Sequence, residues 1–498
     1  MKNPARAAAA GNQILRLAVL TAMSAIASMA ILVFFFPGYL APSQPFLPDH
    51  FEYLAMPREG YGLGRYIVSY PRPLAHILID LCGRLGLDYM LLPIYAGTIA
   101  NAALLILYIE RLMKRRVALV GVCVFLFVVF AHPQYYWSYK IDPFAALSFT
   151  CLMLVCHLWQ SYMETRRRWL VAVALFFSFC LTEIKEPYIP ALVLFFLVQA
   201  PVSRRDRWTA LLCAAASTIF AAVSITHTAH VWTVFHTTAA AVTDPYYTSL
   251  APGSVIRCWF RLVREMVHSA PLIAVAICVA VGFWRDRRTA WIGVALALLA
   301  GSTLLPNATL PNHLVTAYGW LGVLLFAAPI LTTATLLPTG PRARTGVWAV
   351  ALLLCALCLR DYARPNLERT SLRNHERLQA TFLRTMPILR DRPATARNNL
   401  VFGLASPLSI FHVSNFVLAE FGSSRLWTVV VPDSEPESAS ATTRLVHASN
   451  VPDEEYDRLF VYDDRSMLEG LYEGEPLEAL RTAGRFPVAI HFVSAKSR

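Results

Sequence analysis

Eleven long apolar runs, separated by short charged segments, constrain this chain more than any other feature of its sequence. They lie at 14–36, 89–109, 117–131, 142–163, 169–182, 187–201, 208–231, 265–283, 290–306, 314–337 and 345–360. Runs of this kind form membrane-spanning helices, which need roughly 20 residues when perpendicular to the bilayer. Some runs are shorter, and 169–182 with 187–201 is alternatively one broken hairpin. Only 15% of the residues are charged, against about a quarter in soluble domains. The sequence therefore predicts a polytopic α-helical membrane protein with about eleven transmembrane helices.

Basic residues recur in alternate loops between these runs. These loops read "ERLMKRR" (110–116), "ETRRRW" (164–169), "SRRDRW" (203–208), "WRDRR" (284–288) and "PRAR" (341–344). Together with the basic N-terminus they fall on one side of the predicted membrane. The positive-inside rule then predicts a cytoplasmic N-terminus and an extracytoplasmic C-terminal tail. Because the net charge of +12 is spread over these small groups, nucleic acid is not an expected partner.

Most of the ten cysteines lie inside apolar runs, where a free thiol behaves as a small apolar side chain. Cys355 and Cys358 have CxxC spacing, but no second pair accompanies them. The sequence therefore predicts neither a disulfide framework nor a cysteine metal site.

The tail differs in kind from the rest of the chain, which predicts a membrane domain at 1–360 and a small extracytoplasmic α/β domain at 361–498. Four apolar runs have strand length, at 398–404, 426–432, 458–464 and 486–493. A helix is predicted at 364–386, and the segments 451–460 and 466–484 are predicted to be helical at least in part. A mobile loop is predicted at 432–444.

The first extracytoplasmic loop (37–88) contains "PDHFEY", in which Asp49 and Glu52 stand about one helical turn apart. A carboxylate at a membrane surface is suited to act as a general base, with a pKa set by burial and neighbouring charges. Alternatively, Asp49 is the N-cap of a short helix. Further along, 74–87 has the pattern of a helix lying in the interface plane.

This layout resembles the GT-C-fold glycosyltransferases: an N-terminal helix, a long extracytoplasmic loop with "PD-x-x-x-Y", and "RP-L" downstream. The closest likeness is to the branch of lipid A aminoarabinose transferase and the protein O-mannosyltransferases. The resemblance implies a sugar donor carried on a polyprenyl phosphate, with Asp49 as the base and Arg72 as the downstream basic residue. The family commonly has a second acid beside the first, whereas here His50 follows Asp49 and the next acid is Glu52.

The segment "TEIKEPYIP" (182–190) places three charges between two apolar runs, which is costly unless they are paired or functional. The Lys-Glu-Pro before an apolar helix also recurs in GT-C-like proteins. The functional interpretation places Lys185 on the donor phosphate with Glu186 beside it. The alternative is a polar turn with Lys185 reaching the interface.

Two further segments contain candidate substrate ligands. In "YYWSYKIDPF" (135–144) these are Lys140 and Asp142, although the aromatic residues alternatively form an interfacial belt. At the start of the tenth predicted span they are His313 and Tyr318, where a polar residue at a helix start is the simpler interpretation.

Arg257 and Arg261, followed by Arg264, recur at helical spacing in the extracytoplasmic loop 232–264 and so depart from the positive-inside trend. A site for a lipid-linked phosphate explains this departure. Anchoring of an amphipathic helix on lipid headgroups explains it equally well.

The function expected from these observations is a membrane glycosyltransferase of the bacterial inner membrane. It would move a sugar from a polyprenyl-phosphate donor to an envelope glycan, lipid or protein. The alternative is a transporter or flippase for a lipid-linked saccharide, for which charges within the spans and inverted repeats are typical. No cofactor is expected with certainty; Asp49 and Glu52 leave a divalent cation, Mg²⁺ or Mn²⁺, as an open alternative.

Overall fold

In a computed structural model of the protein, the described residues are 4–35, 72–85, 97, 99–132, 143–202, 204–235, 248–267, 269–311, 321–337, 341–362, 398–402, 426–431, 437–439, 443–451, 458–462 and 468–473. The chain divides into two compact units. The first comprises Met1–Ser43, Gly62–Leu78 and Gly86–Arg364, and is helical in its described part. The second contains the described residues 79–85 and the strands of the tail.

Most of the described helices follow the predicted apolar runs, and two lie in the predicted loops 37–88 and 232–264. They are α1 (Pro4–Phe35), α2 (Pro73–Arg84), α3 (Asn101–Met113), α4 (Leu119–Phe130), α5 (Pro143–Thr165), α6 (Trp169–Ile184), α7 (Ile189–Val202), α8 (Arg207–Phe235), α9 (Pro252–Met266), α10 (Ser269–Arg285), α11 (Arg287–Ser302), α12 (Leu305–Ala308), α13 (Gly322–Phe326), α14 (Ala328–Ala334) and α15 (Pro341–Tyr362). The helix predicted at 74–87 is α2, and its position in the membrane interface stays a prediction.

Three stretches within these helices are long and apolar enough to cross a membrane: Asn12–Ile31, Phe144–Thr165 and Arg207–Thr228. The other apolar helices are shorter, so the eleven crossings stay a prediction. Many outward side chains are apolar; Leu212 and Ile219 on α8, for example, are 68% and 61% exposed. An exposed apolar surface of this kind is compatible with a membrane protein.

Two predicted spans are interrupted in the structure. The run 290–306 ends as α11 at Ser302 and resumes as α12, and the Thr303 hydroxyl donates to the carbonyl of Ala300 at the break. The described part of 314–337 is divided between α13 and α14. Pro329 explains this division, because proline cannot donate the helical hydrogen bond and its ring clashes with the preceding turn.

Ion pairs bring basic loops together at one end of the helical unit. Arg16 of α1 donates to Glu110 of α3 at 2.6 Å, and Glu110 also accepts from the backbone of Val117 at 3.0 Å. Arg111 pairs with Glu164, and Arg166 pairs with Asp206. The loops at 110–116, 164–169 and 203–208 therefore lie together, as the alternation of basic segments predicts.

Close helix contacts in this unit depend on glycine. A Cβ added at Gly121 of α4 would lie 2.1 Å from the Cβ of Ala334 of α14, where no side chain fits. We therefore expect Gly121→Ala to lower the free energy of unfolding by about 1–3 kcal/mol, as overpacking generally does.

Gly346 of α15 provides the matched control, since nothing lies within 4 Å of an added Cβ there. Gly346→Ala should leave stability unchanged or raise it by up to about 1 kcal/mol, because alanine is the better helix former. Thermal unfolding of both variants in the same detergent measures the difference. Equal stability of the two variants would contradict the close α4–α14 contact.

The second unit contains a six-stranded sheet in its described part. Its strands are β1 (Asn398–Phe402), β2 (Leu426–Val431), β3 (Ser438–Ala439), β4 (Thr443–His447), β5 (Arg458–Tyr462) and β6 (Leu468–Glu473). The strand order is β3-β4-β2-β1-β5-β6, with the inner four parallel and both edge strands antiparallel. Parallel neighbours require crossover connections, as in α/β domains.

The strands confirm three of the four predicted strand runs, and 486–493 lies outside the described residues. Two other predictions for the tail differ from the structure. Of the segment 466–484, predicted to be helical at least in part, the described residues 468–473 form β6, which pairs with the apolar strand β5. The expected mobile loop 432–444 contains β3 and the start of β4. In both cases pairing with a neighbouring strand outweighs the local pattern. The predicted helix 364–386 lies outside the described residues.

Candidate functional site

A sharp turn between α6 and α7 forms the centre of the candidate site. Lys185 is extended (φ −161°, ψ 133°), and Glu186–Tyr188 form a single 3₁₀ turn before α7. Pro187 explains the break, because proline has no N–H to continue the helical hydrogen bonds of α6 but is tolerated in the first turn of the next helical segment. The runs 169–182 and 187–201 are therefore two helices joined by this turn, and the choice between two spans and one broken hairpin stays a prediction.

Neighbouring helices hold this turn in place. The Ser148 hydroxyl of α5 lies 3.3 Å from the carbonyl oxygen of Leu181 and 3.1 Å from that of Lys185, two acceptors at the end of α6. The Tyr188 ring is fully buried and packs edge-on against Phe149, with 5.4 Å between ring centroids. The turn is thus a packed part of the helical unit.

An ion pair connects the turn to the start of α2. Arg72 Nε donates to Glu186 Oε1 at 2.8 Å across 114 residues of sequence, and both side chains are partly buried. Burial opposes ionisation of Glu186, but the charges of Arg72 and Lys185 outweigh it and lower the pKa of this carboxyl to about 2. Glu186 is therefore an anion at neutral pH.

Two buried side chains complete the group. Lys185 is only 6% exposed. His76, one turn after Arg72, donates from Nδ1 to the carbonyl of Arg72 at 2.8 Å. We call Arg72, His76, Lys185 and Glu186 the ionic cluster. Two cations beside one ionised carboxylate make an environment suited to a phosphate group.

Burial lowers the pKa of His76 to about 4, and the charges of Arg72 and Lys185 act in the same direction. The imidazole is therefore neutral in the folded protein at pH 7. Between pH 6.5 and pH 4 the unfolded chain binds a proton that the folded chain does not, so stability falls as the pH is lowered through this window.

We expect His76→Gln to remove this pH dependence. Unfolding temperatures of the wild type and the variant, measured in detergent from pH 7.5 to pH 4, should show a steeper decline for the wild type below pH 6.5. Parallel curves would mean that His76 takes up a proton equally in both states.

The predicted residues Arg257 and Arg261 lie on α9, on the exposed side of that helix. The short helix α12 packs against both α9 and the 186–188 turn. Trp259 of α9 also donates from Nε1 to the carbonyl of Gly301 at 2.7 Å. One short helix therefore separates the basic helix from the ionic cluster within the same unit.

The structure thus brings together Arg72, Lys185 and Glu186 among the predicted site residues. The remaining predicted residues lie outside the described part of the chain: Asp49, Glu52, Lys140, Asp142, His313 and Tyr318. The predicted divalent cation on Asp49 and Glu52 lies outside it as well. Within the described ranges, no group of three or more His, Cys, Asp or Glu side chains is placed to hold a metal ion.

Sequence reasoning did not select His76 as a member of the site. Its position was nevertheless a usable signal, because it stands four residues after Arg72 at the start of a predicted helix. Residues four apart on a helix are neighbours on its surface.

Comparison with known proteins adds no relative: no family model matches the chain, and no curated protein matches it.

Proposed function

We propose that this protein is an integral-membrane glycosyltransferase of the GT-C type. It transfers a sugar from a polyprenyl-phosphate donor to an envelope glycan, lipid or protein at the extracytoplasmic face of a bacterial inner membrane. The ionic cluster binds the donor phosphate, and Asp49 is the general base, with Glu52 as a second candidate.

The observation that carries this proposal is the pairing of Arg72 with Glu186 beside Lys185. The resemblance selected "YPRPL" and "TEIKEP" separately, and the two segments are far apart in sequence. The need to span a membrane does not explain why "YPRPL" and "TEIKEP" contact each other. Binding of one phosphate by both segments explains it, because the leaving group of the reaction is an anion that needs cations.

The reaction needs one proton acceptor and one stabilised leaving group. Asp49 takes the proton from the acceptor's nucleophilic atom, which then forms a bond to the anomeric carbon of the sugar. The bond between that carbon and the phosphate oxygen breaks, and the phosphate departs with the electron pair. Lys185 and Arg72 stabilise the charge on the departing phosphate.

The ionised Glu186 has a positioning role in this scheme. Its carboxylate holds the Arg72 guanidinium at 2.8 Å, which fixes one of the cations before the donor arrives. Preorganised charge of this kind needs no rearrangement during the reaction. Lys140, Asp142, His313 and Tyr318 are proposed as further substrate contacts. Arg257 and Arg261 are proposed to contact lipid headgroups, the alternative role of this basic helix.

Complementation of a deletion strain tests the proposed base. We expect Asp49→Asn to abolish the envelope product at a normal level of protein in the membrane, because asparagine keeps the shape of aspartate but accepts no proton. Glu52→Gln, made in parallel, tests the second candidate. An unchanged product with both variants would exclude carboxylate catalysis by this pair and would favour the transporter, which requires no base.

A further inference from the structure

The helix α9 presents two kinds of side chain on its exposed surface. Arg257, Arg261 and Arg264 are all exposed, and they follow one another at spacings of four and three residues. Beside them, Ile256 is 55% and Phe260 62% exposed. Large apolar side chains next to a row of cations are typical of helices that lie in a membrane interface.

The opposite side of α9 is fixed to the protein. Leu262 and Met266 are almost completely buried, and Trp259 is hydrogen-bonded to Gly301. His132 Nε2 donates to the carbonyl of Met266 at 3.2 Å. The helix is therefore held by its buried side, and its opposite side is exposed.

The angular order of these side chains is that of an interfacial helix. At about 100° per residue, Ile256 and Phe260 lie between the buried side and the arginine row. A bilayer surface presents the same order, with acyl chains beside headgroup phosphates. The seven residue steps from Arg257 to Arg264 also span about 10 Å along the axis, a row better matched to several headgroups than to one phosphate.

We propose that α9 docks on the anionic lipid headgroups of the bilayer, with Ile256 and Phe260 entering the acyl boundary and the three arginines contacting lipid phosphates. The occupant is the membrane surface itself, recognised through its negative charge. This inference needs only that the chain lies in a bilayer, and it is independent of the proposed sugar transfer.

A fluorescent label at position 260 tests the docking in full-length protein. Phe260→Cys, combined with Cys258→Ser, is labelled with a polarity-sensitive maleimide, and the signal of the Cys258→Ser parent is subtracted. The protein is placed in nanodiscs of phosphatidylcholine alone or of phosphatidylcholine and phosphatidylglycerol in equal parts. The measurement is quenching by acrylamide, which is neutral and so does not respond to the lipid charge.

We expect quenching at least about threefold weaker in the anionic nanodiscs, since each arginine near such a surface shifts the docking equilibrium by about fivefold. The triple variant Arg257→Gln, Arg261→Gln, Arg264→Gln should lose this lipid dependence. The matched control is Arg285→Gln, Arg287→Gln, Arg288→Gln, which removes three exposed arginines from the basic loop 284–288 and should keep it.

Three results would overturn the proposal. The first is equal quenching in both lipids, and the second is a lipid dependence that survives in the α9 triple variant. The third is protection of the label by inorganic phosphate in phosphatidylcholine nanodiscs, because this would indicate a discrete phosphate site instead of a docking surface. In labelled protein that keeps all three arginines, inorganic phosphate should not change the quenching by acrylamide.

Discussion

Lys185→Met is expected to reduce sugar transfer by about 100- to 1000-fold, the usual effect of removing one preorganised group that stabilises charge in the transition state. Lys185 is 6% exposed and lies at the packed turn between α6 and α7. A buried cation beside an ionised carboxylate lies where water screens charge poorly, so its removal should have a large effect on the transfer rate. The measurement is the transfer rate of purified variants with a polyprenyl-phosphate sugar.

Two variants show whether this effect is specific. Lys185→Arg keeps the positive charge and should retain more activity than Lys185→Met. Arg287→Met removes one cation from the exposed start of α11, in the basic loop 284–288, and should leave the rate unchanged. Wild-type rates with Lys185→Met would remove Lys185 from the phosphate site.

The second large effect is expected at the Arg72–Glu186 pair. Arg72→Gln leaves the ionised Glu186 carboxylate without its 2.8 Å partner. We expect a loss of about 1–3 kcal/mol in the free energy of unfolding, between the values typical of exposed and of fully buried pairs. Sugar transfer should also fall, because Arg72 is one of the two cations of the ionic cluster.

A double-mutant cycle measures the interaction free energy between Arg72 and Glu186, separately from the contacts that each side chain makes with its surroundings. The double variant Arg72→Gln, Glu186→Gln should lose less stability than the sum of the two single variants, since it leaves no unpaired charge. Its sugar transfer should nevertheless stay low, because a cation is still missing. Additive stability losses would show that the two side chains are not coupled.

The helical part of the fold was predicted well, because a membrane helix needs a long run of apolar residues and hydropathy identifies such runs directly. The apolar runs and the basic loops between them reappear as helices and as an ion-paired end that includes Arg16–Glu110. The breaks near Thr303 and Pro329 were harder to predict, since the flanking residues are as apolar as the spans themselves.

The charged residues of the site were predictable one by one, but their arrangement was not. The charges of Lys185 and Glu186 stood out because they interrupt an apolar stretch. Their contact with Arg72 joins residues that no local pattern connects. For His76 the available signal was its spacing from Arg72, and its importance became visible only through its burial beside two cations.

The tail was predicted less well for a physical reason. Strand formation depends on the partner strand, which a local pattern does not contain. β1, β2 and β5 are apolar enough to be recognised by themselves. By contrast, β6 contains Glu469, Gly470 and Glu473 and becomes a strand through its pairing with β5.

The proposed sugar transfer is tested most directly by following the donor in nanodiscs that contain the purified protein. A synthetic polyprenyl-phosphate sugar is supplied with an extract of envelope acceptors, and free polyprenyl phosphate and glycosylated product are quantified together by mass spectrometry. We expect that both appear in equal amounts with the wild type, that neither forms with Asp49→Asn, and that both are reduced about 100- to 1000-fold with Lys185→Met. An intact donor that crosses the bilayer of proteoliposomes without release of polyprenyl phosphate would contradict the proposed sugar transfer and would identify a transporter.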